Sequence, residues 1–294
     1  VASAELIADT RCGTGESPVW VAAEQALYWA DIPAGRLWRW QNGALTHWQG
    51  DEMLACMACA ADGSGWIAGM QSGVFKLSAQ ANGTLSALRL TEVAHARSGM
   101  RFNDGRCDRQ GRFWAGTMLM DMAAAAPLGR LYRHTPKDGL QAVLDGFITP
   151  NGLAFSPDGR TMYLSDSHPS VQAIWAFDYD IDSGTPHNRR LFVDMNPLPG
   201  RPDGAAVDAD GCYWICGNDA GLVHCFTPDG RLDRSLPVPV KKPAMCAFGG
   251  AGLDTLFVTS IRPDGIDLSD QPLAGGVFAL NPGVKGLQEP VYGA

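Results

Sequence analysis

The sequence predicts an all-β protein: a six-bladed β-propeller with a metal site in its central channel, formed by residues 1–294 as one domain. Three observations predict the propeller. An aromatic anchor recurs in a short apolar strand roughly every 40–50 residues. Each anchor strand is followed by a second strand of alternating or aromatic character. No long stretch carries helical periodicity. Repeats of this length hold several short strands each, which suits one four-stranded sheet per repeat, arranged radially.

Taken in chain order, the anchors are Trp29 in 27–31, Trp66 in 65–69, Trp114 in 112–116, Tyr163 in 162–164, Trp214 in 212–217 and Phe257 in 256–260. The strands that follow them lie at 36–40, 73–77, 129–133, 173–177, 221–226 and 276–280. Turns punctuate the repeats. In Pro157-Asp158-Gly159 the proline presets φ and the glycine accepts a positive φ. Thr227-Pro228-Asp229-Gly230 leads in the same way to an outer strand. The first repeat has no outer strand ahead of it. Residues 5–8 are therefore expected to add a strand to the last blade, which closes the ring and covers an exposed edge.

A hydrophobic content of 46% with 18% charged residues places the chain among folded proteins and against disorder. The net charge of −8 argues against a nucleic-acid partner or an anionic membrane, since both need a basic face. No apolar run reaches the length of a membrane span. Val1-Ala2-Ser3-Ala4-Glu5 shows neither the basic nor the apolar region of a signal peptide, so the expected location is cytoplasmic. The eight cysteines mostly sit among apolar residues and read as free buried thiols. Cys56 and Cys59 form the only CxxC, without the second pair that zinc would want. Oligomeric state is left open.

The strand ahead of each anchor lines the channel of a propeller. Glu16, Asn103, Asn151 and Asp203 lie about 11 to 13 residues before their anchors, so four blades set an oxygen-bearing side chain at one level. The second blade offers Leu54 or Ala55 there, and the sixth Met245 or Cys246. Two carboxylates and two amides confined together are costly without a cation. Their hard oxygens suit one divalent ion, Ca²⁺ first, with Mg²⁺, Mn²⁺, Zn²⁺ or Fe²⁺ also accommodated. Asn103-Asp104-Gly105, Asn151-Gly152 and Asp203-Gly204 could each be only a turn. Their recurrence at one repeat position, each followed by an apolar strand, favours a site.

Gly15-Glu16-Ser17-Pro18-Val19-Trp20, Arg101-Phe102-Asn103-Asp104-Gly105, Pro150-Asn151-Gly152-Leu153-Ala154-Phe155-Ser156-Pro157-Asp158-Gly159 and Pro202-Asp203-Gly204 closely resemble the regucalcin/gluconolactonase family, also called the senescence marker protein family. The resemblance runs in order through nearly the whole chain. It implies a six-bladed propeller with one divalent metal on the channel axis and hydrolysis of sugar lactones. It implies Glu16, Asn151 and Asp203 as metal ligands, Asn103 as a residue bordering the metal and touching substrate, and Arg101 as the substrate-binding arginine. The family's lid would map near 118–128, where Asp121 is the one candidate substrate contact.

The expected chemistry uses the metal as Lewis acid on the lactone carbonyl, Asp203 as base for the attacking water, and Arg101 and Asn103 for sugar hydroxyls. A five- or six-carbon aldonolactone is the substrate class that the resemblance implies. Two other readings stand beside it: a calcium-dependent propeller hydrolase of aryl esters or phosphotriesters, and a non-catalytic calcium-binding propeller. A nucleophile-elbow serine is disfavoured by the absence of Gly-x-Ser-x-Gly. The six histidines form no HExxH, and His168 reads as a solvated loop residue.

Overall fold

The computed structural model describes residues 4–293, which form six four-stranded antiparallel sheets. In the first five blades the four strands follow one another in sequence from the channel outward. The innermost strands are Gly15–Val21, Leu54–Cys59, Met100–Cys107, Pro150–Phe155, Arg201–Val207 and Pro243–Gly249. They meet their neighbours in a closed ring around a central channel. The expected closure is present: Glu5–Ala8 pairs with Val277–Leu280, with Glu5 opposite Ala279 and Leu6 opposite Phe278. Among the described residues the only helix is the 3₁₀ turn Met122–Ala124, so none is long and apolar enough to cross a membrane.

The apolar core is divided into six clusters, one between each pair of neighbouring blades. This follows from the architecture, because a radial sheet presents both faces to neighbours and must be apolar on both. Trp29, Trp114 and Trp214 are fully buried in these seams. Truncating such a ring to alanine typically costs about 3–5 kcal/mol. The turn before the anchor also positions it. Asp108 accepts the backbone N–H groups of Gln110 and Arg112 and the indole N–H of Trp114, and Asp208 does the same for Asp210, Cys212 and Trp214. Gly111 and Gly211 close these turns at φ of 78° and 86°, where a side chain would be strained. All eight cysteines are free, and most are buried, as the sequence predicts.

Candidate active site in the channel mouth

Every inner strand carries a β-bulge at the same place. The register slips by one residue between Glu16 and Val19, Leu54 and Cys56, Phe102 and Gly105, Asn151 and Ala154, Pro202 and Ala205, and Pro243 and Cys246. A bulge breaks the two-residue alternation and re-aims a side chain. The Asn-Gly and Asp-Gly pairs are thus parts of bulged strands rather than hairpin turns. In the fourth blade the bulge needs Gly152 at φ 60°, and a Cβ there would run into the Tyr213 hydroxyl. Glu16, Asn103, Asn151 and Asp203 are all buried, and all line one cavity of about 340 Å³. In the sixth blade Met245 packs against Gly204, which has no room for a side chain.

Hydrogen bonds fix which way each polar group faces. Arg101 donates through NH1 to Asn103 Oδ1 at 2.8 Å. A guanidinium has no acceptor, so the atom of Asn103 that meets it must be the oxygen. The Asn103 amide nitrogen then donates to Pro150 O at 3.0 Å and to Asn151 Oδ1 at 2.9 Å. Asn151 consequently turns its oxygen, not its nitrogen, toward the ring. The same logic holds for Asn218, whose nitrogen donates to Asp203 Oδ2 at 2.6 Å, since a carboxylate only accepts.

Burial pushes the Glu16 carboxyl well above the ordinary range, and the neighbouring Asp203 and Asp104 charges push the same way. Burial also raises Asp203, to about 7, against the lowering effect of its Asn218 hydrogen bond. Arg101 is lowered by burial to about 10, so its guanidinium stays charged at neutral pH. Among the described residues neither Glu16 nor Asp203 has an ion-pair partner within 4.0 Å. Two buried carboxylates and an amide oxygen facing one space form a hard-oxygen donor set whose chemistry would fit a divalent ion.

Behind the ring a second charged group crosses the channel. Asp104 accepts the Leu153 N–H at 2.8 Å, and Arg106 NH2 donates to Ala205 O at 2.5 Å. Leu153 and Ala205 lie two residues beyond Asn151 and Asp203, so blade three pins the strands that carry both ring residues. The far end of the channel is crossed by the C-terminal segment. It is bound through Lys285, Gly286, Tyr292 and Gly293 to Ala209, Leu253, Cys59 and Gly111, and it brings Glu289 to 3.4 Å from Arg106. Along the axis four carboxylates (Glu16, Asp104, Asp203, Glu289) face two guanidiniums (Arg101, Arg106), an excess that one divalent cation would neutralise.

The structure therefore brings Glu16, Arg101, Asn103, Asn151 and Asp203 into one cavity. It does not bring Asp121 there: that residue is exposed at the start of the 3₁₀ turn, while Met118, Met120 and Met122 form the wall. His168 differs from expectation. It is 8% exposed, with Nδ1 bonded to Ser170 Oγ and Nε2 to Met122 O, so it ties the 3₁₀ turn to blade four rather than standing in solvent. Asp104, Arg106, Asn218 and Arg201 were not singled out from sequence. Arg201 carried a usable signal, because it precedes Asp203 by the same two positions as Arg101 precedes Asn103.

Residues 14–262 match the family model described as the SMP-30/Gluconolactonase/LRE-like region. A 6-deoxy-6-sulfogluconolactonase of Pseudomonas putida is 40% identical over 282 residues, covering 95% of this chain and 94% of the relative. Regucalcin of Macaca fascicularis is 33% identical over 298 residues, covering 98% and 97%. The crystal structure of the calcium-binding protein regucalcin from Agrobacterium tumefaciens superposes with a TM-score of 0.89 at 28% identity, covering 100% of this chain and 98% of that one.

Proposed function

Because the chain belongs to the SMP-30/gluconolactonase/LRE-like family, we propose that it is a metal-dependent hydrolase of sugar lactones whose chemistry is carried by the channel ring. Sugar-lactone hydrolysis is supported by the 40% identity to a sulfogluconolactonase over almost the full length of both chains. The calcium-binding regucalcin neighbour supports a divalent ion, with Ca²⁺ the first candidate and other hard cations admitted by the same oxygens. The observation that carries the reading is the orientation of the two asparagines. Asn103 and Asn218 hold Asn151 and Asp203 so that Asn151 Oδ1, with a lone pair to spare, and the unbonded Asp203 Oδ1 meet the Glu16 carboxylate over one cavity.

Glu16, Asn151 and Asp203 are the assigned ligands. The bound ion supplies Lewis-acid polarisation of the lactone carbonyl. With Oδ2 held by Asn218, Oδ1 of Asp203 would face the ion with one lone pair and take the proton of the attacking water with the other. Arg101 commits NH1 to Phe102 O and Asn103 Oδ1, so its remaining N–H groups are offered to sugar hydroxyls. Both N–H bonds of the Asn103 amide are spent, so Asn103 serves substrate chiefly by orienting Asn151 and Arg101 and offers one oxygen lone pair. Asp121 is exposed outside the cavity wall, so no substrate contact is assigned to it. Eight free thiols support a reducing, cytoplasmic setting.

The test separates ligand from base. Asp203→Asn keeps an oxygen ligand but removes the proton acceptor, and losing a positioned base typically costs about 10²–10⁴-fold in rate. It should stay slow on aldonolactones at full metal occupancy, verified by elemental analysis. Asn151→Ala should lose metal affinity and regain substantial turnover at high metal, since water can replace an amide on a hard cation. Equal rescue of both variants by metal removes Asp203 from the role of base.

A further inference from the structure

The mouth of the cavity has a second layer, and its composition is not that of a site for a neutral sugar. Two residues ahead of the ring, at the start of two inner strands and just before two others, stand Arg101 and Arg201, Thr14 and Thr149, and all four line the cavity. Two of these are guanidiniums. Arg101 has no carboxylate within 4.0 Å among the described residues and commits only NH1, to Phe102 O and Asn103 Oδ1. Arg201 donates through Nε to Asp219 Oδ2 at 2.6 Å, through NH1 to Ser167 O at 3.1 Å and through NH2 to Asn218 Oδ1 at 3.5 Å, which leaves one N–H on each terminal nitrogen. Asp219 is shared, because Lys242 pairs with its other oxygen. One carboxylate between two cations leaves one net positive charge at that wall, and Arg101 adds another.

The remaining acidic groups nearby do not cancel this charge where a substrate would lie. Glu16 and Asp203 sit one layer deeper and face the cation in the loaded enzyme. Asp166 spends its oxygens on the N–H groups of Ile148, Thr149 and His168, and Asp31 accepts the Thr14 N–H. Hydroxyls need donors but gain little from net charge. Arg201 keeps one N–H on each of NH1 and NH2, and Arg101 keeps Nε and NH2; paired guanidinium donors at a cavity wall are the arrangement that recognises carboxylate, phosphate or sulfonate oxygens. We propose that Arg201, with Arg101 across the mouth, forms an anion subsite, and that the preferred substrate is a sugar lactone bearing an anionic group at the end remote from its carbonyl. This rests on the lactonase reading and makes Arg201 its specificity-determining residue.

The experiment uses the metal-loaded full chain and three lactones: gluconolactone, its 6-deoxy-6-sulfo analogue and its 6-phosphate. A charge-assisted contact of this kind is worth about 10–100-fold. Wild type should favour one or both anionic lactones by that factor in kcat/KM, and the sulfo and phospho arms tell which oxyanion fits. Arg201→Gln should cut the anionic preference about 10–100-fold, mostly through KM. Arg201→Lys should retain part of it, and Asp219→Asn, which frees the guanidinium, should enlarge it. Calorimetric titration with 6-phosphogluconate, 6-deoxy-6-sulfogluconate and gluconate gives a readout independent of turnover: tighter binding of a tail-charged acid, lost in Arg201→Gln. Hydrolysis of gluconolactone without anionic preference, or equal losses on all three lactones in Arg201→Gln, overturns the subsite. Failure to hydrolyse any lactone overturns the lactonase reading instead, and the calorimetric comparison then still decides the subsite.

Discussion

Loss of Arg106 should damage the protein without touching the cavity. It is 7% exposed, with its guanidinium between Asp104, Glu289 and the Ala205 carbonyl. Arg106→Met keeps the bulk and removes the charge, leaving Asp104, 4% exposed, as an uncompensated buried carboxylate. Arg106 and Asp104 attract each other across more than 4.0 Å rather than in direct contact, so the loss should not exceed the roughly 3–5 kcal/mol of a broken buried pair. At about 2–4 °C per kcal/mol for chains of a few hundred residues, the midpoint should fall by at most about 20 °C. Glu289→Gln should cost no more than about 1 kcal/mol, because the pair is 3.4 Å long and the Glu289 side chain is 22% exposed. Asp104→Asn can still accept the Leu153 N–H, so the double variant Asp104→Asn/Arg106→Met should recover at least half of the Arg106→Met loss. The assay is calorimetric and urea unfolding of metal-free protein, with a parallel titration of metal affinity. Metal affinity should weaken in Arg106→Met, since the Ala205 and Leu153 anchor points follow Asp203 and Asn151 on their strands. A double-variant loss equal to the sum of the single losses would show that the two charges are not coupled, and the reasoning would fail.

Two further outcomes are expected. Arg101→Lys should raise KM for polyhydroxylated lactones far more than for a plain lactone without hydroxyls, because an ammonium cannot reproduce the planar fork; equal losses on both would reduce Arg101 to a structural role. His134 is buried against the C-terminal segment, with Nδ1 at 2.9 Å from the Tyr292 hydroxyl, and burial lowers its pKa below the ordinary 6.5. A depressed folded-state pKa contributes stability above about pH 6.5 that is lost as pH falls through the folded value. The midpoint advantage of wild type over His134→Gln should therefore shrink between pH 7.5 and 5, with faster amide exchange at Tyr292; a constant advantage across that range contradicts the assignment.

How much of the fold was legible depended on what repeats. Trp29, Trp114 and Trp214 recur because every blade seam poses the same packing problem, and Trp114 and Trp214 recur with the same Asp-containing turn. The closing strand at Glu5–Ala8 was legible for a related reason: the first repeat has no outer strand ahead of it, so residues 5–8 could complete the last blade. The ring residues were legible only as departures from that repetition, polar side chains where an apolar strand begins.

The orienting residues were not legible from local pattern. Asn218 ends the second strand of blade five, and nothing around it in sequence says that its nitrogen meets Asp203. Glu289 lies 183 residues from Arg106, and a C-terminal segment without repeat character carries it across the channel. His168 reads as a loop histidine until the 3₁₀ turn at Met122–Ala124 folds over it. By itself the sequence determined the propeller, its closure and the level at which oxygen-bearing side chains gather, because periodic burial writes itself into the sequence repeat by repeat. Only the tertiary structure decided which oxygen each amide presents, which carboxylates stay unpaired and which guanidinium faces the cavity, because those depend on contacts between blades whose residues share no sequence neighbourhood.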